Sequence, residues 1–462
     1  MKAPLRLLLL LFLFTIKGIA VQALVGHSTI TFNDPTRTGG FGSGGGAGRQ
    51  IQCEIYYPGT TAGDNVPVAN GTFPIIVFGH GFFMSWDAYT NIWEHYVDAG
   101  YILVFPRTEG SLSPTHAEFG MDLIVCGEKM QLLASDIASP FYNKWNGKSA
   151  VMGHSMGGGA TFLAAGSSNP FDAVVGLAPA ETTPSAITSA AAITLPTIIF
   201  SGTADAVTPP ADHHIPIYNA IPNSICKQFI AITGGAHCYF ANSNAACDFG
   251  EASSGGTITI TRADQHDILF DLLDPWLSFY LKGICTDWTV FNNLLLADSR
   301  IVGQSNCTYQ LPIAPSITAN GSILSISSTL TIQWNLNGNP LSGENATSIE
   351  TANHGDGSYT VTVTDANGCS ATSTPVVIQG GGVGIQETSE INYDIFPNPA
   401  TTAFTITTSS TEPIEIKLTN TIGQLIDVKW LSGTLVWNIE QLDAGIYYLQ
   451  TTTGSQKRFI KQ

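Results

Sequence analysis

Charge is what this chain of 462 residues has least of. Only 11% of its residues are Asp, Glu, Lys or Arg, against the roughly 25% usual in globular proteins. Its 18 Lys and Arg face 35 Asp and Glu, which leaves a formal net charge of −17. A chain without a basic footprint cannot release the counterions of a phosphate backbone, so the balance argues against nucleic acid as a partner. It also disfavours adhesion to anionic lipid by charge. Long-range disorder is not expected, because it needs low hydrophobicity and dense charge, whereas 44% of the residues are hydrophobic. Apolar runs of the roughly 20 residues that span a bilayer are missing, so an integral membrane protein is not expected. The apolar run at 7–16 follows Lys2 and Arg6 and leads to the small-residue site Val21-Gln22-Ala23. That is the layout of a secretory signal peptide, expected over 1–23. No Cys-x-x-Cys pair occurs among the eight cysteines, so a zinc site is not expected, and the chemistry that the later motifs suggest requires no metal or organic cofactor.

What is present is a chain long enough for two to four domains at roughly 100–200 residues each. Up to residue 308, short β-branched runs at 75–78, 102–105, 150–152, 173–177, 197–200 and 228–232 alternate with helical stretches. This predicts an α/β domain over 24–308, with a mostly parallel sheet covered by helices on both faces and an amphipathic helix at 264–282 near its end. The Gly-rich stretch 39–48, ahead of the first of these strands, lacks the Gly-Lys-Ser/Thr of a phosphate loop and reads as a surface turn. From 309 to 379 the texture is Ser, Thr, Asn and Gly with period-2 alternation. Tyr359 before the Thr-Val-Thr-Val-Thr run stands like the tyrosine corner of an immunoglobulin-like β-sandwich, although Val361 occupies the place of that fold's second cysteine. A Gly-rich linker at 380–391 precedes a last β domain at 392–462. The cysteines suit an oxidising compartment, with short loops favouring Cys238–Cys247 and Cys285–Cys307 and leaving Cys369 as a lone buried thiol.

The strongest chemical signal is Val151-Met152-Gly153-His154-Ser155-Met156-Gly157-Gly158-Gly159, an apolar strand entering Gly-x-Ser-x-Gly and a small-residue helix. A nucleophile elbow has this form: the tight turn needs small residues on both sides and lifts the serine clear of the sheet. Serine needs a base, and the base an orienting acid, in the order Ser, acid, His. Asp205 lies on the loop after strand 197–201, and His237 on the loop after 228–232, behind Gly234 and Gly235. Both positions are carboxyl ends of strands, where open α/β sheets gather their sites. Ser155, Asp205 and His237 are therefore the expected catalytic residues, with Asp212 and Glu181 the rival acids. The expected oxyanion donors are the backbone amides of Met156 and of Phe82, the latter on the loop Gly79-His80-Gly81-Phe82-Phe83. His213 and His214 read as surface histidines, His95 and His116 as helix and loop residues, and His154 as packing within the elbow.

The elbow, the run from Pro216-Ile217-Tyr218-Asn219 through Lys227-Gln228-Phe229, and Gly234-Gly235-Ala236-His237 resemble bacterial cutinases and related polyester hydrolases over residues 50–308. The resemblance implies an α/β-hydrolase with an open cleft for esters of aliphatic or aromatic acids. It places the family's catalytic acid on Asp205 and its histidine on His237, and likens Cys285 and Cys307 to the family's C-terminal disulfide. Phe82 stands where the family has Tyr, and Ala180 where it has a Trp that clamps an aromatic acid, so Trp86, Trp93, Tyr239 or Phe240 is needed as a substitute. Phe82, Phe83, Trp86, Ala180 and Tyr239 are the expected substrate contacts. Residues 81–108 also echo chlorophyllase-like and dienelactone-hydrolase-like enzymes, the latter using Cys in place of Ser155. The module at 309–379 resembles immunoglobulin-like repeats of Bacteroidetes surface proteins. Pro397-Asn398-Pro399-Ala400, Gly445-Ile446-Tyr447 and the terminal lysine resemble the type A sorting domain of the type IX secretion system. Together these imply a monomeric, secreted or surface-attached serine esterase whose partners are an ester or polyester and the type IX machinery. Triglyceride lipase or short-chain esterase is the alternative activity. A binding protein with a degenerate hydrolase domain is the alternative from another class.

Overall fold

A computed structural model describes residues 24–379, 393–408, 413–421, 423–451 and 456–462. The expected leader at 1–23 and linker at 380–391 lie outside the described residues. Two compact units divide the chain: Met1–Ile313 with Thr364–Ser370, and Ala314–Val363 with Ala371–Gln462.

The first unit carries eleven strands: β1 (Val25–Asp34), β2 (Gly40–Phe41), β3 (Arg49–Pro58), β4 (Gly63–Asp64), β5 (Phe73–Gly79), β6 (Ile102–Pro106), β7 (Trp145–His154), β8 (Ala173–Leu177), β9 (Thr197–Gly202), β10 (Lys227–Ile232) and β11 (Ile301–Ser305). Its helices are α1 (Thr90–Asp98), α2 (His116–Ser135), α3 (Met156–Ala165), α4 (Ala186–Ala190), α5 (His214–Ala220), α6 (Ala245–Ser254), α7 (Arg262–Leu277) and α8 (Cys285–Ala297). The sheet runs β11-β10-β9-β8-β7-β5-β6-β3-β1-β4, with β2 against β3. From β10 to β6 all neighbours are parallel, whereas β11, β3 and β1 join antiparallel.

Alternation along the strands divides the core into two layers. Ile76, Phe78, Leu103, Phe105, Met152, Val175, Ile198, Phe200, Ile230 and Ile232 face α1 and α7. Ile75, Val77, Ile102, Val104, Val151, Val174, Ile199 and Phe229 face α2, α3, α4 and α5. Because both faces are covered, the central strands read as continuous apolar runs, and those runs are what marked them in the sequence. The antiparallel flank was not marked, since β1 and β3 mix polar and apolar residues and β11 is mostly exposed. The Gly-rich stretch consequently lies between β1 and β3, not ahead of the first strand.

The disulfides correct the expected pairing. Cys238 bonds Cys247, but Cys307 bonds Cys226, and Cys285 bonds Cys369, which is no lone thiol. The register explains Cys307: Gln228 pairs with Ser305 across antiparallel β10 and β11, so two residues further out Cys226 and Cys307 stand opposite one another. Cys369 belongs to the segment Thr364–Ser370 that joins the first unit, where the Tyr309 hydroxyl also donates to Asp365. Cys53 and Cys126 are free and buried, their sulfurs 3.3 Å apart.

The second unit consists of antiparallel sheets. Strands Thr331–Leu336 and Gly357–Thr364 carry Trp334, Tyr359, Val361 and Val363 into one core. Tyr359 Oη donates to the Gly355 carbonyl at 2.6 Å, the backward bond of a tyrosine corner. The C-terminal strands, Tyr393–Phe396 through Gln456–Lys461, enclose Tyr393, Phe404, Trp437, Leu449 and Phe459. No helix of the described residues is long and apolar enough to cross a membrane.

One network of paired charges lies where β1, β3 and α2 meet. The Arg37 and Arg49 guanidiniums both bind Asp122, which is fully buried, and reach Asp34, Glu118 and Glu109. Burial alone would raise the Asp34 carboxyl, but donation from Thr36 and Arg37 outweighs it and brings the group down to about 2. A carboxylate depressed in the folded state stabilises the fold above its ordinary value of 3.8, and that contribution disappears as pH falls toward about 2. The urea midpoint should therefore decline from about pH 5 to about pH 2, and Asp34→Asn should lower it at neutral pH while flattening the decline. An identical slope in the variant would refute this.

Candidate active site

The site is assembled by strand ends. β5 and β7 pair in parallel with Gly79 opposite Gly153, so the loop leaving β5 and the turn leaving β7 emerge side by side. On the other side His154 pairs with Leu177, and Ile232 of β10 pairs with Gly202 of β9. Asp205 and His237 thus leave the same carboxyl edge that carries Ser155.

Ser155 has φ 56° and ψ −121°, a conformation rare for a residue with a Cβ. Its neighbours hold it there. The Ser155 amide donates to the Leu177 carbonyl at 3.0 Å, and the Ala180 amide donates to the Ser155 carbonyl at 2.9 Å. Gly153 and Gly157 are required by space: a Cβ on Gly153 would lie 2.3 Å from the Gly157 oxygen, and one on Gly157 2.1 Å from the Gly79 oxygen.

Ser155 Oγ lies 2.9 Å from His237 Nε2, and His237 Nδ1 lies 2.8 Å from Asp205 Oδ2. In neutral His237, Nδ1–H donates to the carboxylate and Nε2 accepts the serine hydroxyl proton. The other carboxylate oxygen of Asp205 accepts the amides of Val207 and Thr208. Burial would raise the Asp205 carboxyl, but His237 and these donors outweigh it and hold it below the usual range. Of the rival acids, Asp212 is exposed and Glu181 accepts the Ile187 amide.

Both neighbours of His237 are pinned. The Gln265 side chain on α7 accepts the Ala236 amide and donates to the Ala236 carbonyl, each at 2.8 Å. The Cys238 amide donates to Glu251 on α6, and Cys238 is disulfide-bonded to Cys247. His154 Nε2–H donates to the His237 carbonyl at 3.1 Å, so its Nδ1 must accept, and it accepts the Tyr89 hydroxyl at 2.9 Å. Burial and the nearby His237 push the His154 imidazole well below its ordinary value, which keeps it neutral. Tyr89 Oη accepts the Gly81 amide at 2.8 Å, so one chain of hydrogen bonds joins the Gly81-Phe82 loop to the His237 loop. The Phe82 and Met156 amides emerge at this edge, and neither donates to a protein acceptor among the described residues.

The remaining sequence-predicted contacts divide. Phe82 and Phe83, each about half exposed, line an apolar cavity of about 560 Å³ with Ala245, Ala246 and Phe249. Ala180 sits against Ser155 through its amide. Trp86 lies in a different cavity, of about 490 Å³, with its ring under the Arg107 guanidinium, and Tyr239 lies under Arg262. Trp93 stacks on Tyr56, and Phe240 is fully buried, so neither ring is presented as a replacement clamp.

His214 departs from its expected place at the surface. It is fully buried behind Asp205, because α5 begins with this residue turned toward β9 and the apolar layer below it. His213 is partly buried and accepts the Glu181 amide. His95 lies on α1 as expected, bonded to Asp274, whereas His116 opens α2 and does not sit in a loop. Gln265, Glu251, Tyr89, Thr208 and Phe249 carried no signal in the sequence, since single polar or aromatic residues acquire a role only when the fold brings them together. Among the described residues no cluster of three or more His, Cys, Asp or Glu side chains is placed to hold a metal ion.

A mostly parallel sheet with helices on both faces, an elbow serine and an acid and a histidine on later strand ends define the α/β-hydrolase class. Residues 19–253 match the family model described as PET hydrolase-like, and the chain belongs to that family. Cutinase est1 of Thermobifida alba is 25% identical over 218 residues, 47% of this chain and 66% of the relative. A cutinase of Thermobifida fusca is 24% identical over 217 residues, 47% of this chain and 64% of the relative. A bis(hydroxyethyl) terephthalate hydrolase of Streptomyces coelicolor is 24% identical over 218 residues, 47% of this chain and 63% of the relative. The chain thus spans just under two thirds of the length of these relatives. Residues 394–462 match the secretion system C-terminal sorting domain, which marks export to the cell surface or beyond by the type IX route.

Tyr89→Phe removes the hydroxyl that joins Gly81 to His154 and leaves two buried polar groups unpaired, a change that costs about 1–3 kcal/mol. The variant should fold with a lowered melting temperature and turn over a soluble ester more slowly than the parent. Wild-type melting and turnover would refute the link.

Proposed function

We propose that this protein is a secreted carboxylic ester hydrolase that cleaves polyesters or cutin-like esters through an acyl-enzyme. The observation that carries the reading is the line from Ser155 Oγ through His237 to Asp205, at 2.9 and 2.8 Å. Ser155 Oγ attacks the ester carbonyl carbon while His237 Nε2 takes its proton, and Asp205 stabilises the imidazolium through Nδ1–H. The tetrahedral oxyanion is held by the Phe82 and Met156 amides. His237 returns the proton to the departing alkoxide, and the alcohol leaves. Water then attacks the acyl-serine with His237 as base, releasing the acid and restoring Ser155. The cycle calls on no metal or organic cofactor.

The surface around Phe82, whose amide is the proposed oxyanion donor, suits a neutral, apolar substrate. Phe82, Phe83 and Phe249 are exposed around an open cavity without a charged lining residue, a surface suited to an aromatic or long aliphatic acyl group. The names of the relatives, cutinases and a terephthalate ester hydrolase, point the same way. Ala180 in place of a clamping ring leaves ring contacts to this patch.

A fluorophosphonate probe should label wild-type protein at Ser155 alone. Ser155→Ala should lose labelling and at least about a thousandfold in ester turnover. An unlabelled native protein, or a variant as active as the parent, overturns the mechanism. Faster release from polyester film or bis(hydroxyethyl) terephthalate than from triglyceride is expected, and the reverse order would make it a lipase.

A further inference from the structure

Behind Asp205 lies a set of buried polar groups that the reaction scheme leaves unused. The relevant ones are His214 at the start of α5, Ser201 at the end of β9 and Thr208 on the Asp205 loop, all buried. Ser201 Oγ is 2.8 Å from His214 Nδ1, His214 Nε2 is 3.0 Å from Thr208 Oγ1, and Thr208 Oγ1 is 3.1 Å from Asp205 Oδ2. Thr208 Oγ1 also lies 2.8 Å from His237 Nδ1, beside the bond from His237 to Asp205. The strongest acceptor in the group is the carboxylate, and it fixes the direction of every proton. The Thr208 hydroxyl donates to Asp205, so it must accept from His214 Nε2–H, and His214 Nδ1 then accepts the Ser201 hydroxyl.

We propose that His214 and Thr208 are positioning residues for the acyl-transfer triad, a relay from Ser201 that gives the Asp205 carboxylate an additional donor and holds it aimed at His237. This inference rests on the proposed roles of Ser155, His237 and Asp205. The relay needs a neutral imidazole, with one nitrogen donating and the other accepting. The titratable groups facing His214 are Asp205, His237, His213 and His154, and α4 packs on α5 without contributing one. Burial is the largest influence on the imidazole and pushes it down to about 3, so it stays neutral at the pH of ester hydrolysis.

The experiment is steady-state hydrolysis of p-nitrophenyl butyrate by the full chain from about pH 5 to 9, with His214→Ala, His214→Gln, Thr208→Val and Thr208→Ser. His214→Ala should lower kcat about tenfold, the worth of one good hydrogen bond, with KM nearly unchanged. His214→Gln, whose amide donates near the Nε2 position, should recover most of the loss. Thr208→Val leaves the carboxylate charge less dispersed, so it binds the His237 imidazolium more tightly. The acid limb of kcat/KM should then move to higher pH by about half a unit, while Thr208→Ser keeps the parent profile. Equal rates and acid limbs for His214→Ala and the parent overturn the relay, as do Thr208→Val and Thr208→Ser that behave alike. Should His214→Ala fail to fold, the Thr208 pair decides. Failure of the underlying triad shows separately, as wild-type protein that a fluorophosphonate does not label. A failed relay leaves that labelling intact.

Discussion

The meeting of Gly157 with the backbone of Gly79 and His80 is the constraint on which the candidate site depends. Adjacent parallel strands with Gly79 opposite Gly153 send two chains out through one gap, and only a residue without a side chain lets the first turn of α3 share it. With α3 seated there, Ser155 is forced to φ 56°, a strain worth about 1–3 kcal/mol that persists because the surroundings over-determine it. The Leu177 carbonyl and the Ala180 amide supply that determination. One contact therefore sets both the projection of the serine and the nearness of the Phe82 loop to it.

The polar interior above this contact distributes protons unequally among three close imidazoles. His154 and His214 are deeply buried and each holds a neutral pattern, one nitrogen donating and the other accepting. Both are pushed down by burial, and neighbouring imidazoles lower each of them further. A second charged ring beside His237 would oppose the imidazolium of the proposed acyl transfer. Neutral rings instead fix the geometry without that repulsion, which leaves His237 as the ring that meets both a hydroxyl and a carboxylate.

Much of this was legible in the sequence, and the boundary has physical causes. The parallel strands are buried on both faces and announce themselves as unbroken apolar runs, whereas β1 and β3 mix polar with apolar residues and β11 is mostly exposed, so they do not. Ser155, Asp205 and His237 follow such runs at strand ends, so the elbow motif, the chain order and the resemblance together pointed to them, and the fold brings them within hydrogen-bond distance. His214 was misread because an adjacent pair of histidines suggests a polar surface, while only the packing of α5 shows that one ring points inward. The Cys226–Cys307 pair was missed because it depends on the β10–β11 register, and Cys285 finds its partner eighty-four residues downstream.

Scarcity of charge takes on a location once the fold is known. In the first unit, one network of ionic groups lies where β1 and β3 meet α2, and there each carboxylate faces a guanidinium. The cavity beside Phe82 has no such group, and Phe82, Phe83 and Phe249 remain about half exposed or more. Exposed aromatic rings cost free energy in water, and three around one cavity form a contiguous apolar surface of the kind that marks a binding face. A charged rim would compete for such a face by holding water on it, so an uncharged rim and exposed rings reinforce one another. The same physical choice separates the two regions: ion pairs that lock the fold, and bare apolar surface where the proposed neutral ester would be met.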